Sequence, residues 1–269
     1  MAEFTAKDVQ ALRNASGAGM MDAKRALTET DGDTQAAMKW LRERGLGKAA
    51  ERAGRETQEG AVAVSYDKEA NAIALVQLRS ETDFGAKSPD FVNLVNELAA
   101  LVASEGEDAV QQRKAAIEDL NIVIKENVQL GEVIRFEAAP GNLLDSYLHV
   151  QNDRGVNGVI VELAGGNQQL AHDVAVHIAF GKPKYLRRED VPAEEVEAER
   201  ATLEAETRRV GKPEAQVPKI VDGKLGGWFK RVPGGVLLEQ PFAKDDSKTV
   251  TQTLGDARIV RYAQVVIGG

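Results

Sequence analysis

Residues 72–102, AIALVQLRSETDFGAKSPDFVNLVNELAALV, hold the reading that decides the fold. Ala72 to Arg79 has the β-branched and apolar content of a strand, while Phe91, Leu94, Val95, Leu98, Leu101 and Val102 recur at helical spacing. Ser88 followed by Pro89 reads as an N-cap with proline at the first helical position, so the helix carries its own start signal. Between strand and helix, Thr82-Asp83-Phe84 places an acid and a large ring in a loop. Asp83 is not needed as a cap, and a displayed Phe84 reads as a wedge. Taken alone, however, such a pair is more often a turn acid beside a ring folded back onto the core, and that is the reading these residues favour by themselves.

Working outward, Ala61–Val64 and Ile73–Val76 form a hairpin across Asp67–Asn71. Residues 1–45 predict three short helices. Thr5 caps the first with Asp8 in the capping-box position and Phe4 and Val9 as a staple; Gly17-Ala18-Gly19 breaks the chain before a helix from Met20 to about Thr30; Asp33 caps a third, which Gly45 ends. From Gly45 to Gly60 the chain reads as a linker or a helical extension. Downstream, a charged helical stretch runs to about Leu120, then Val133–Phe136, Leu143–Val150 and Gly158–Val161 read as antiparallel strands and Gln168–Phe180 as a helix. Strands followed by a helix thus occur twice, an internal repeat of architecture. Asp190–Arg231 departs from it: Val196, Leu203 and Val210 recur every seven residues, Gly211-Lys212-Pro213 forces a reversal, and Val217, Val221, Leu225 and Trp228 share a returning face. The expected fold is α+β: an N-terminal three-helix bundle and linker (1–55), a first α+β subdomain (56–139), and a second (140–269) with an inserted antiparallel helical hairpin at about 190–231. Ile259–Ile267 is the final strand.

Composition narrows the function classes. The 269 residues contain no cysteine, which excludes disulfides and thiolate metal sites and makes a reducing cytoplasm the simplest home. Met1–Phe4 lacks an export leader, and no stretch approaches the ~18 apolar residues of a membrane span. Net charge is −8, with +2 in residues 1–55 and therefore −10 in the rest, which argues against general phosphate-backbone binding. The basic residues Arg42, Arg44, Lys48, Arg52 and Arg55 read as a solvated linker face, with an RNA or acidic partner as the alternative. The four Gly-Lys pairs all lack the following Ser or Thr of a phosphate loop, and there is no dinucleotide fingerprint or nucleophile elbow. His172 and His177 lie about 140° apart on a helix, too far around it to share a metal. A binding or regulatory protein is expected rather than an enzyme.

Several motifs occur in an order that resembles the bacterial elongation factor Ts family: Leu12-Arg13 with Gly17-Ala18-Gly19-Met20-Met21-Asp22 and Lys24; Glu81-Thr82-Asp83-Phe84 with Ala86-Lys87; then Glu126-Asn127, His177-Ile178-Ala179, Lys182-Pro183, Glu189-Asp190-Val191, Gln240-Pro241-Phe242 and Ser247-Lys248-Thr249-Val250. The resemblance implies a ubiquitin-associated-like bundle, two α+β core subdomains and a helical hairpin used for dimerisation in some members. It implies a guanine-nucleotide exchange factor for elongation factor Tu, with no cofactor of its own, because GDP, GTP and Mg2+ belong to the partner. It further implies that Phe84 inserts into the partner's GTP-binding domain while Asp83 helps disturb the magnesium and phosphate site.

Carried over residue by residue, Thr82, Asp83, Phe84 and Gly85 match the magnesium-displacing motif, with Gly85 where the family usually has a bulkier residue. Arg13, Met20, Met21 and Lys24 match the N-terminal contact surface, and for both methionines core packing stays open as an alternative. Gly158 and His177 match positions near the contact with the partner's far domain, although a histidine on an apolar helical face is usually a core residue. A homodimer or two-plus-two complex through the hairpin is expected to be weakened by its thin apolar stripe. No membrane or specific nucleic acid is expected as a partner, nor a contact through the C-terminal helical module that some relatives carry. A scaffold or chaperone module for translation factors, without exchange activity, is the competing function.

Overall fold

The computed structural model describes residues 4–268; Met1–Glu3, which contribute to the reading of a leaderless N-terminus, and Gly269 lie outside the described residues. The chain divides into two compact units. The first comprises Met1–Arg135 with Val150–Val156 and Val265–Gly269, the second Phe136–His149 with Asn157–Gln264.

The first unit opens with α1 (Ala6–Ser16), α2 (Met20–Glu29) and α3 (Thr34–Arg52). The capping box forms as read: Asp8 accepts from the Thr5 backbone N–H at 2.7 Å while the Thr5 hydroxyl accepts from the Asp8 N–H at 3.4 Å. Gly17 takes a left-handed conformation (φ 67°) that a side chain would strain, and its N–H closes α1 on Arg13. Val9, Leu12, Ala23, Ala26, Leu27, Ala37 and Leu41 form the core of these helices, with Phe4 and Trp40 against it.

Gly45 does not end α3, which continues to Arg52. A Cβ at Gly45 would stand 2.7 Å from the Ile122 side chain. The glycine therefore makes room for a neighbouring helix, and tertiary packing offsets its roughly 1 kcal/mol helical cost.

β1 (Glu59–Asp67) and β2 (Ala72–Ser80) pair antiparallel without a slip, from Glu59 opposite Ser80 to Asp67 opposite Ala72. Next come α4 (Asp83–Ala86), α5 (Pro89–Glu105), a 3-10 segment, α6 (Lys114–Ile124) and β3 (Gln129–Glu137). Ser88 caps α5 through the Phe91 N–H, and Phe91, Leu94, Val95, Leu98 and Val102 join the first core as the spacing predicts, whereas Leu101 is only half-buried and lies outside it. β3 lies beside β2 in the order β1-β2-β3, so Val133–Phe136 belongs to the first sheet and not with the later strands. Leu130 and Val133 pack on the first core, which fixes that placement.

Farther along the chain, β4 (Asn142–Gln151), β5 (Arg154–Ala164) and β8 (Arg258–Val266) make a second three-stranded sheet in the order β4-β5-β8. The repeat is thus a hairpin, one or more helices, and a late strand laid against the hairpin's second strand. α7 (Gln168–Gly181), capped by Asn167, supplies Val174, Ala175 and Ile178 to the second core. α8 (Ala193–Arg209) and α9 (Val217–Phe229) share a cluster of Leu203, Val217, Val221, Leu225 and Phe229. Val210 stays exposed beyond α8, so the third heptad position contributes nothing to this seam. Phe229, rather than Trp228, is the buried ring at its end, with Trp228 edge-on to it at 5.0 Å. β6 (Pro241–Phe242), β7 (Asp245–Thr249) and α10 (Val250–Leu254) complete the chain before β8. Among the described residues no helix is long and apolar enough to cross a membrane.

Candidate functional site

The segment after β2 is a single helical turn rather than an open loop. Thr82 caps it: its hydroxyl oxygen accepts from the Gly85 N–H at 3.2 Å. Gly85 and Ala86 are buried on the underside and Ala86 joins the first core. With its small residues facing in, the turn throws Phe84 outward at 74% exposure, and the ring does not fold back onto the core. Lys87 lies across the same turn, its Nζ 3.8 Å from the Phe84 ring centroid and 3.4 Å from Asp83 Oδ2.

Beneath the turn sits a carboxylate that sequence reasoning noted only as part of a motif. Glu126 accepts from the Ser80 hydroxyl at 2.6 Å, the Thr82 N–H at 3.0 Å and the Thr82 hydroxyl at 2.6 Å. A Cβ at Gly85 would lie 2.6 Å from Glu126 Oε2, so the missing side chain at 85 is the space the carboxylate fills. Glu126 and Thr82 are 44 residues apart, and no local spacing rule joins positions so distant.

Arg13, Met20, Met21 and Lys24 all lie on the surface of α1 and α2. Met20 is 45% and Met21 75% exposed, which removes core packing as the reason for either. Arg13 and Met20 line a groove of about 600 Å³ together with Asn14, Gly17 and Lys125, the last a left-handed cap (φ 63°) at the end of α6. Lys125 carried no signal in the sequence beyond its charge.

The basic stretch 42–55 lies along the end of α3 and just past it, with Arg42, Arg44, Lys48 and Arg55 exposed as a solvated face. Arg42 pairs with Asp119 at 3.3 Å, Arg52 donates to the Asn121 carbonyl at 3.0 Å, Arg55 pairs with Glu81 at 3.3 Å, and Arg44 lies over Trp40. Arg42, Arg52 and Arg55 tie α3 and the residues after it to the rest of the first unit, whereas the Arg44 contact lies within α3.

In the second unit, Gly158 is buried in β5 and His177 is fully buried in α7. The Ala243 N–H donates to His177 Nδ1 at 3.1 Å, which places the ring proton on Nε2, where it donates to Gln240 Oε1 at 3.0 Å. Phe242 stacks on the ring at 5.4 Å. Burial pushes the His177 pKa below its ordinary value, against the smaller opposing effect of the Gln240 hydrogen bond. His177 therefore holds the 240–243 segment and presents no surface of its own.

A family model described as Elongation factor TS matches residues 81–268. Over its full length the chain is 42% identical to an elongation factor Ts from Renibacterium salmoninarum, with all of both chains covered. It is 40% identical to one from Streptomyces griseus, again over all of both chains. To one from Alkalilimnicola ehrlichii it is 37% identical, across 98% of this chain and 92% of the relative.

Proposed function

The chain belongs to the elongation factor Ts family, and from that premise we propose how its surfaces act. It is a guanine-nucleotide exchange factor of translation elongation, with elongation factor Tu as its partner. The observation that carries the mechanism is Phe84, a large ring left 74% exposed on a turn whose other side is buried. On docking, the ring enters an apolar crevice in the partner's GTP-binding domain. Asp83, beside it, approaches the magnesium and phosphate site, where its carboxylate competes with the phosphates for Mg2+ and repels them, which lets GDP leave. Nothing is made or broken covalently in this protein, which acts as a ligand and not as an enzyme. It needs no cofactor, and the cytoplasm is its place of work.

Magnitudes require more than a wedge. Accelerating GDP release by about ten-thousandfold needs roughly 5.5 kcal/mol of differential stabilisation, whereas burying one phenylalanine supplies about 1.5–3. By linkage, the factor binds the nucleotide-free partner more tightly than the GDP form by the same ratio with which it weakens GDP binding. A wide interface supplies the remainder. Arg13, Met20, Met21 and Lys24 of a ubiquitin-associated-like bundle (1–55) dock on the GTP-binding domain. The second subdomain (140–269), shaped around Gly158 and positioned by His177, meets a distant domain of the partner. α8 and α9 form an antiparallel hairpin that serves a homodimer or a two-plus-two complex. Residues 56–139 carry the wedge.

Stopped-flow release of fluorescent GDP from elongation factor Tu tests this reading. The native chain is expected to accelerate release, and Phe84→Ala to bind the partner yet lose most of the acceleration. Binding without acceleration by the native chain would replace the exchange mechanism with a scaffold role.

A further inference from the structure

The turn that displays Phe84 is held from beneath by a segment of chain that follows α6, and the hydrogen-bond directions there form a closed set. Glu126 Oε1 accepts the Thr82 hydroxyl proton at 2.6 Å. That hydroxyl has one proton to give; with it committed to Glu126, a lone pair is left facing the Gly85 N–H, which is the bond that caps the turn. Glu126 Oε2 meanwhile takes the Thr82 N–H at 3.0 Å and the hydroxyl of fully buried Ser80 at 2.6 Å, at the end of β2. Bonds to an ionised acceptor are the stronger kind, and here three converge on one carboxylate. The next residue returns the arrangement: the Asn127 N–H donates to Glu81 Oε1 at 2.7 Å. Buried Asn127 also donates through Nδ2 to the carbonyls of Ala53 and Arg55 at 3.3 and 2.8 Å, where the chain leaves α3. Both oxygens of Glu126 are used inward on the turn.

We propose that Glu126 is a positioning residue for nucleotide exchange: it sets the direction and height at which the Thr82–Gly85 turn presents Phe84. Asn127 extends the same anchor to the exit of α3, so the exchange turn and the N-terminal helices are registered to one dipeptide. The inference rests on the wedge reading of Phe84 and deepens it. A displaced ring still binds but enters its crevice poorly, since errors of about 1 Å in a positioned group are costly in rate.

The test is a double-mutant cycle on the full chain, read as the maximal rate of fluorescent GDP release at saturating factor. Glu126→Ala is expected to lower that rate about tenfold, with binding to GDP-loaded elongation factor Tu changed by less than about twofold. Glu126→Gln, which keeps one acceptor oxygen in place, is expected to retain more of the rate than Ala does. In a Phe84→Ala background the further loss from Glu126→Ala should shrink below about twofold, because a positioning group has nothing left to position. An unchanged rate in Glu126→Ala overturns the inference, as does an equal loss with and without Phe84. If Glu126→Ala melts below the assay temperature, the same cycle run with Glu126→Gln decides by the same criteria. Should Phe84→Ala alone prove harmless, the wedge reading falls and this inference with it; a slow Phe84→Ala beside a normal Glu126→Ala overturns the positioning role only.

Discussion

The two sheets are built on one plan, and they differ most in the short connection that follows the hairpin. In the first, seven residues separate Ser80 from the cap Ser88, and they contain the α4 turn with Phe84 outside and Gly85 and Ala86 inside. In the second, Ala164 passes through Gly165 and Gly166, both at positive φ (76° and 75°), straight to the cap Asn167 of α7. A Cβ on Gly166 would meet Leu170 at 3.0 Å and Ala257 at 3.2 Å, so this connection closes down on its own core and displays nothing. The scaffold repeats, while one added turn displays the exposed ring to which we assign nucleotide exchange.

Two phenylalanines seven positions apart break that comparison most sharply. Phe91→Ala empties a fully buried site in the first core and is expected to cost about 4 kcal/mol, read as a shift in the denaturant midpoint. Phe84→Ala removes an exposed ring and should change stability by less than about 0.5 kcal/mol while slowing GDP release roughly 10- to 100-fold, the rate equivalent of one buried phenylalanine. If Phe84→Ala instead destabilised the chain as Phe91→Ala does, the turn would be core and the contrast between the two connections would vanish.

A smaller effect separates the two long helices behind these connections. The buried face of α5 is entirely apolar, whereas α7 buries His177 against Gln240, Phe242 and the Ala243 N–H. Its folded pKa is depressed, so below about pH 6.5 the unfolded chain takes up a proton that the folded chain refuses. Stability therefore falls as pH drops through that window, with a slope approaching ~1.4 kcal/mol per pH unit. Glu162 and Asp173 act elsewhere on the scale. For both, burial alone would raise the pKa, but it is outweighed by hydrogen bonds, to Glu162 from Asn142, the Ala139 N–H and Arg261, and to Asp173 from Lys244 and Gln169. Their stabilisation is present above the ordinary carboxylate range and is lost only in stronger acid. Thermal melts between pH 7.5 and 5 should show the slope in the native chain and a flatter profile in His177→Gln. Equal slopes in both would mean that the histidine is not the titrating group.

What was legible in the sequence follows the same division. Caps and periodicities are local, and Thr5, Ser88 and the Phe91–Val102 stripe stand where their spacing put them. Two failures in the fold are cases where a distant segment decides. Gly45 looked like a helix end because the reason for a glycine there, Ile122, lies far along the chain. Val133–Phe136 looked like part of the second set of strands because pattern reveals a strand but not its neighbour. At the site, Phe84 and Glu126 were both picked out as motif residues, yet nothing in the sequence put Glu126 beneath the turn, since hydrogen bonds between residues 44 apart leave no periodic trace.

Lys87 offers the finest adjustment of the exposed turn. Its ammonium lies 3.8 Å from the centroid of the Phe84 ring and 3.4 Å from Asp83 Oδ2, so one cation restrains both the proposed wedge and the neighbouring carboxylate. At a site this open each contact is worth about 0.5–1 kcal/mol at most. Lys87→Met keeps the length of the side chain and deletes the charge, which leaves ring and carboxylate free to move independently. A restrained ring loses less freedom on entering its crevice, so the variant should slow GDP release about two- to fivefold and make the rate less sensitive to salt. A faster release would reverse the assignment: the ammonium would then be covering the ring in the free protein, and stripping it away would be a cost of docking that the methionine removes.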